Sequence, residues 1–493
     1  MTHTMRRQRL IGILAVVCRR GSLSTGPVRT ALICFLGASL GLTGALEDQT
    51  AARLPAVVDT SYSALAFDAD GDGHPDLLLT REGSAALLLN DGNGVFADVS
   101  GARLPPLVGT FVFAATADVD RDGDADLLLV RADGPDRLLI NDGAGIFGDE
   151  SSARLPMASA ASTGAAFADV DKDGDVDLVI AYRGTPDCLL LNNGSGVYSL
   201  AAADRLPVAE GATSAVVAAD LTGDGGPDLL FVSENTPPRL LVNNGSGVFV
   251  DDSAARLPAD LPGALGLAAS DLDGDGDLDV LLAAGSAGVV HLRNAGDGSF
   301  TTEALTVSPL PPLHAIKVEV GDIDYDGLPD VFLSNASQDR ILLGIGVAFA
   351  DATGALLPAD TERTFGAALV DVDGDFDLDV VLARPQLQNC VLINTIGFPR
   401  IRLAATPAVV EIGDPVTITV EAVDEDGVAL LMVRVGADEV LLTAGTGTYI
   451  PATPGFYTVT ATAHDTLGNI GTRQAAFQAV PNVVPIVNAG PDR

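Results

Sequence analysis

The chain has 493 residues, 47% of them apolar and 19% charged, with 54 Gly and 28 Pro, and 66 acidic against 28 basic residues leave a formal charge of −38. The apolar content excludes wholesale disorder. The acidic excess excludes nucleic acid and anionic membrane surfaces as partners, because both are bound through Lys and Arg.

The first 45 residues differ from the rest. Arg6, Arg7 and Arg9 precede an apolar run at 11–17, and a second run at 31–42 ends in Thr43-Gly44-Ala45. Basic residues, an apolar stretch and small residues in that order read as an export leader over 1–45. Neither run reaches the ~18–20 residues of a spanning helix, so no transmembrane span is expected in the mature chain.

From residue 46 the sequence repeats. Phe67-Asp68-Ala69-Asp70-Gly71-Asp72-Gly73-His74-Pro75-Asp76 opens the first unit, and its Asp-x-Asp-x-Asp-Gly-x-x-Asp spacing restarts at Asp118, Asp169, Asp220, Asp271, Asp322 and Asp371, at intervals of 50, 51, 51, 51, 51 and 49 residues. A second marker, Asn90-Asp91-Gly92-Asn93-Gly94-Val95-Phe96, returns from Asn141, Asn192 and Asn243 and more loosely from Asn294 and Asn394. A third, Ala52-Arg53-Leu54-Pro55, returns at 102–105, 153–156 and 255–258, with variants at 204–207 and 355–358.

Each unit reads as four short strands. In the second they are predicted at 110–117, 127–131, 137–140 and 146–150, apolar runs bounded by Gly, Pro, Asn and Asp. Seven such units predict a β-propeller over 46–400. Residues 46–55 copy the ending of a unit, while the seventh unit stops near Phe398 without one. The N-terminal segment is therefore expected to supply the outer strand of the last blade and close the ring.

The Asp loops have the chemistry of calcium sites. Calcium takes 6–8 oxygen ligands at about 2.3–2.6 Å. Positions 1, 3, 5 and 9 offer side-chain oxygens, and Gly at position 6 permits a sharp turn. The expected ligands are Asp68, Asp70, Asp72 and Asp76; Asp118, Asp120, Asp122 and Asp126; Asp169, Asp171, Asp173 and Asp177; Asp220, Thr222, Asp224 and Asp228; Asp271, Asp273, Asp275 and Asp279; Asp322, Asp324, Asp326 and Asp330; and Asp371, Asp373, Asp375 and Asp379. Up to seven Ca2+ are expected. Thr222 is the one non-carboxylate, and Phe376 stands where the seventh loop wants Gly. An EF-hand does not fit: position 12 holds Leu79 and Leu129 instead of Glu, and the loops run into strands.

These motifs resemble the FG-GAP/VCBS repeat family, whose integrin α-subunit members form seven-bladed propellers with calcium in such loops. The resemblance covers about residues 46–400. It also implies a repeating core aromatic at Phe96, Phe147, Tyr198, Phe249, Phe300, Phe349 and Phe398.

Beyond residue 400 the Asp loop vanishes. Alternating stretches at 416–422, 428–435 and 454–465 predict about seven strands in 401–480, a β-sandwich similar to bacterial Ig-like and PKD-type domains. Residues 481–493 read as a linker or the opening of a further, truncated PKD-type module. The expected fold class is all-β, a seven-bladed β-propeller followed by an Ig-like sandwich.

No nucleophile elbow, His-Glu-x-x-His or phosphate loop occurs in the sequence. Beyond the leader, His74, His291, His314 and His464 are scattered and read as surface residues, and Cys188 and Cys390 as structural thiols. The expected role is a secreted or cell-surface calcium-binding module, not an enzyme, that binds an extracellular protein or glycan of unknown identity. A structural spacer, or a propeller-based lyase or glycan-active enzyme, is the alternative.

Overall fold

The computed structural model describes residues 45–156, 161–208, 212–305, 313–346, 348–396, 400–423, 428–465 and 470–481. The expected leader, Phe398 and the C-terminal 482–493 lie outside them.

Seven four-stranded antiparallel sheets succeed one another along the described chain. The second is typical, with strands Phe111–Ala117, Asp126–Arg131, Arg137–Asn141 and Phe147–Asp149. These bounds follow the predicted ones within a residue or two. The Asp loop always joins the first strand to the second. The repeated four-stranded sheets fit a β-propeller.

Burial explains why the second strands are apolar without alternation. Every side chain from Asp76 to Thr80 is buried. Along a strand, successive side chains point to opposite faces. Leu78 packs with Phe111, Leu127 and Leu129 of the second sheet, while Leu77 and Leu79 pack with Val372, Val381 and Val391 of the last. Both faces of each sheet are thus core, as in sheets covered on both sides. The repeating aromatics Phe96, Phe147, Tyr198, Phe249, Phe300 and Phe349 are all buried.

The last sheet is completed from the other end of the chain. Leu46–Asp48 pairs antiparallel with Cys390–Asn394, with Leu46 opposite Asn394 and Asp48 opposite Leu392. Thr50 Oγ accepts from the Val391 amide at 3.0 Å. This is the placement that the copied unit ending requires.

The third marker forms a feature not expected from the sequence, a four-residue helical turn such as Ser100–Arg103 or Ser151–Arg154. It carries the chain from one sheet to the next and ends in an Arg at Arg53, Arg103, Arg154 and Arg256, and in Leu356 in the last.

His291 corrects the surface reading. It is 2% exposed. Three residues before Asn294, it takes the repeat position that Leu138, Leu189 and Leu240 hold before their own Asn, so its ring packs between sheets. The free thiols Cys188 and Cys390 are half-buried and buried, and burial pushes both up to about 11.

After residue 400 two further sheets share one core. One contains Arg400–Thr406, Val416–Val423 and Thr446–Tyr449; the other contains five strands, including Val428–Val435, Gly455–Asp465 and Ile470–Val480. Val416, Ile418, Val433, Val459, Ala461 and Phe477 fill the space between them.

Candidate metal centres

Each Asp loop folds around its own carboxylates. The position-1 carboxylate accepts the position-6 amide in all seven loops, from Gly73 to Asp68 at 2.9 Å through Phe376 to Asp371 at 3.0 Å. The position-5 carboxylate accepts the position-7 amide, as in His74 to Asp72 at 2.9 Å. The position-9 carboxylate is buried and ties two segments. Asp76 Oδ2 accepts the Ala69 amide at 3.0 Å, and its Oδ1 accepts the Asn90 amide at 2.8 Å.

Two positions in each loop are left-handed. Position 6 is Gly in six loops, and position 4 is left-handed in all seven: Gly71, Gly223, Gly274 and Gly374, but also Arg121, Lys172 and Tyr325, with φ of 66°, 61° and 60°. The sequence reading assigned this demand only to position 6. Phe376 has φ 78°, a strained conformation for a bulky residue. The Arg402 guanidinium lies 3.8 Å over its ring.

The loops gather oxygens that nothing in the chain satisfies. In at least five of them, among the described residues, three ligand oxygens lie within 4.8 Å of one another: Asp68, Asp70 and Asp76; Asp118, Asp120 and Asp122; Asp169, Asp171 and Asp177; Asp271, Asp273 and Asp275; Asp322, Asp324 and Asp330. The fourth expected ligand of each, Asp72, Asp126, Asp173, Asp279 and Asp326, lies outside that grouping. Asp220, Asp224 and Asp228, and Asp371, Asp375 and Asp379, keep the same hydrogen-bond frame in the fourth and seventh loops. Oδ1 of Asp70, Asp120, Asp171 and Asp373 is buried without a hydrogen-bond partner, and so is Thr222 Oγ1 at the same position. A buried unpaired oxygen is costly. A hard dication with oxygen ligands supplies the missing partner, so the residues fit Ca2+.

Charge points the same way. Burial pushes Asp76, Asp126 and Asp177 up to about 6, and neighbouring carboxylates add to it. Asp330 and Asp379 are pushed up to about 8 by the same causes. Carboxylates that resist ionising beside one another are stabilised by a cation.

Two recurring residues, unassigned in the sequence reading, stitch most of these loops to the next sheet. Asn141 Nδ2 donates to Ala69 O in the first loop at 2.9 Å and to Ala125 O in its own loop at 3.2 Å, while its Oδ1 accepts the amides of Gly143 and Gly145. Asn90 makes the same bond to Val372 O at 2.7 Å, joining the first sheet to the seventh loop. Arg154, at the end of its helical turn, reaches Asp120 Oδ2 at 3.1 Å and the carbonyl of Ser195 at 2.6 Å. Arg53–Asp373, Arg103–Asp70 and Arg205–Asp171 repeat the pair. The signal was present in the recurrence of Asn and of Ala-Arg-Leu-Pro.

Arginines from the C-terminal sheets meet the sixth loop, and meet the seventh in addition to Arg53. Arg400 pairs with Asp375 at 2.7 Å and also with Asp377, and Arg473 lies 3.3 Å from Asp322. The Tyr325 hydroxyl accepts the Ile401 amide at 3.0 Å and donates to the Ile401 carbonyl.

The sequence matches the FG-GAP-like repeat six times, over 68–129, 118–180, 169–231, 220–282, 271–333 and 322–382. The chain belongs to the FG-GAP repeat family. Each FG-GAP match begins on the first Asp of one loop and ends in the second strand of the following sheet, so it spans one loop-to-sheet seam. No curated protein matches the sequence. Among solved structures the chain is similar to a lectin of Agrocybe aegerita described as recognising non-reducing terminal N-acetylglucosamine, 21% identical with a TM-score of 0.40 over 59% of this chain and 79% of its own. The extracellular domain of a hybrid two-component system of B. thetaiotaomicron is 10% identical, with a TM-score of 0.43 over 86% of this chain. That of a one-component system of the same organism is 11% identical, with a TM-score of 0.45 over 89%. The chain spans 56% and 60% of the lengths of these two domains. Among the described residues no helix is long and apolar enough to cross a membrane.

Proposed function

We propose that this chain is an exported binding module, a seven-bladed propeller held together by calcium and followed by an Ig-like sandwich. The observation that carries the metal reading is the unpartnered buried oxygen at position 3 of successive loops. Seven four-stranded sheets support the blade count. The pairing of Leu46–Asp48 with Cys390–Asn394 and the Asn90–Val372 bond support a closed ring. The two-sheet core around Phe477 supports the sandwich.

Calcium has a structural role in this account. It neutralises the Asp loops, and the Asn and Arg stitches pass that order to the neighbouring blade. The surface left by the ring serves recognition, at the cell surface or outside the cell, and not catalysis. The basic and apolar stretches within 1–45 support export. The purified chain should bind a defined subset of a glycan array or whole cells in calcium and lose that binding in chelator. Equal binding in chelator, or none in either condition, would contradict the reading.

A further inference from the structure

The end of the propeller away from the Asp loops holds a second feature. A cavity of about 380 Å3 is lined by Tyr62, Thr163, Arg183, Glu234, Lys317 and Phe365, among others. Several of these stand at or near the start of the first strand of their sheets, and the Asp loops follow the ends of those strands. The cavity therefore lies on the axis, at the mouth opposite the metal.

Its cations are unlike the rest. Most described Lys and Arg have a carboxylate within 4.0 Å; Lys172, Arg183, Lys317, Arg363 and Arg434 have none among the described residues. Three of these five converge on this mouth. Arg183 and Lys317 line the cavity. Arg363 lies 4.5 Å over the ring of Phe365, which stacks on Tyr62 at 5.4 Å. Lys317 Nζ lies 5.2 Å from the ring of Phe113.

Aromatic faces stabilise a cation without using an acceptor, so the N–H donors stay free. In a chain of −38 charge, two such cations lining one cavity, with Arg363 at its edge over Phe365, are a site for an anion from outside. The nearby acids are Glu234, Glu319 and, beside Tyr62, Glu82. Burial pushes Glu319 up to about 7 and holds the Lys317 ammonium below its ordinary value, while the charge of each opposes the other's shift, so an incoming carboxylate would restore the charge of Lys317. The volume sits at the small end of ligand pockets, roughly 300–1,000 Å3, and suits one sugar or amino-acid unit.

We propose that this axial cavity binds a carboxylate-bearing ligand of monosaccharide or amino-acid size, held by Lys317, Arg183 and Arg363. The proposal rests on the reading of the chain as a binding module and gives that module its ligand chemistry.

The test is calorimetric titration of the full chain, in calcium, with galacturonic acid and with N-acetylglutamate, against galactose and N-acetylglutamine as neutral controls. At least one acid should bind with one-to-one stoichiometry, and the acid that binds identifies the source. Lys317→Met and Arg363→Gln should each weaken it about tenfold. Arg363 is exposed, so its variant tests the site without disturbing the packed sheets. Binding of neither acid, equal binding of the neutral controls, or unchanged affinity in both variants would overturn the proposal. Array or cell binding by the same preparation tests the module reading separately.

Discussion

Arg154 holds one oxygen of Asp120 at 3.1 Å, and the other oxygen of Asp120 is buried with no hydrogen-bond partner. One carboxylate thus faces a fixed guanidinium on one side and the other carboxylates of its Asp loop on the other. Because Arg154 also reaches Ser195 O in the third sheet, order in the second loop is felt at the seam. Arg154→Met should cost about 1–2 kcal/mol in saturating calcium, read from the urea midpoint. An unchanged midpoint would show that the pair is incidental.

Asn141 should matter more. It is 4% exposed and uses both donors and its oxygen within the seam. Asn141→Ala strands several buried backbone groups and should cost about 2–4 kcal/mol. The sixth sheet provides an internal comparison, because Gly344 replaces the Asn there and keeps only its amide bond to Asp330 at 2.7 Å. Amides between the fifth and sixth sheets should exchange with deuterium faster than those between the first and second. The reverse order would remove Asn from its stitching role.

The loops should fill unequally. Thr222 gives the fourth loop one carboxylate fewer, and Arg400 and Arg402 sit on Asp375, Asp377 and Asp371 of the seventh. Diffraction at limiting calcium should show these two sites emptied first. Thr222→Asp should raise the affinity of the fourth, since calcium affinity follows ligand charge. Full density at both, with gaps elsewhere, would contradict the ranking.

Acidity gives a further check. Five position-9 carboxylates, Asp76, Asp126, Asp177, Asp330 and Asp379, have folded values near 6 to 8, above the ordinary Asp value of 3.8. Without calcium the folded state binds more protons than the unfolded one, so stability is greatest below pH 4 for these groups. It is lost as pH rises through 6 to 8. Melting in chelator should therefore worsen between pH 5 and 8, and the gain from calcium should grow over the same range. A calcium gain equal at pH 5 and pH 8 would remove these carboxylates from the account.

Much of this site was legible in the sequence because it is local. Asp68 to Asp76 make their loop by contacts within nine residues, repeated often enough to expose the spacing. The strands were legible because Leu77, Leu78 and Leu79 are all buried, which leaves an uninterrupted apolar run. What escaped is long-range. Asn141 meets Ala69 and Arg154 meets Asp120 only when neighbouring sheets pack, and the repeat shows only that such residues recur. His291 was misread from its polarity, although the repeat places it where Leu stands in other units. The approach of Arg400 and Arg473 to the last two loops follows from how the C-terminal sheets continue from the propeller, which no local pattern encodes.

The central claim is that calcium in the Asp loops holds the propeller together. Equilibrium dialysis of the full chain with metal analysis, paired with calorimetric melting before and after chelation, tests it directly. The account predicts several calcium ions per chain, up to seven, and a melting temperature that falls on chelation and returns on titration. No measurable calcium uptake, together with an unchanged melting temperature, would contradict it.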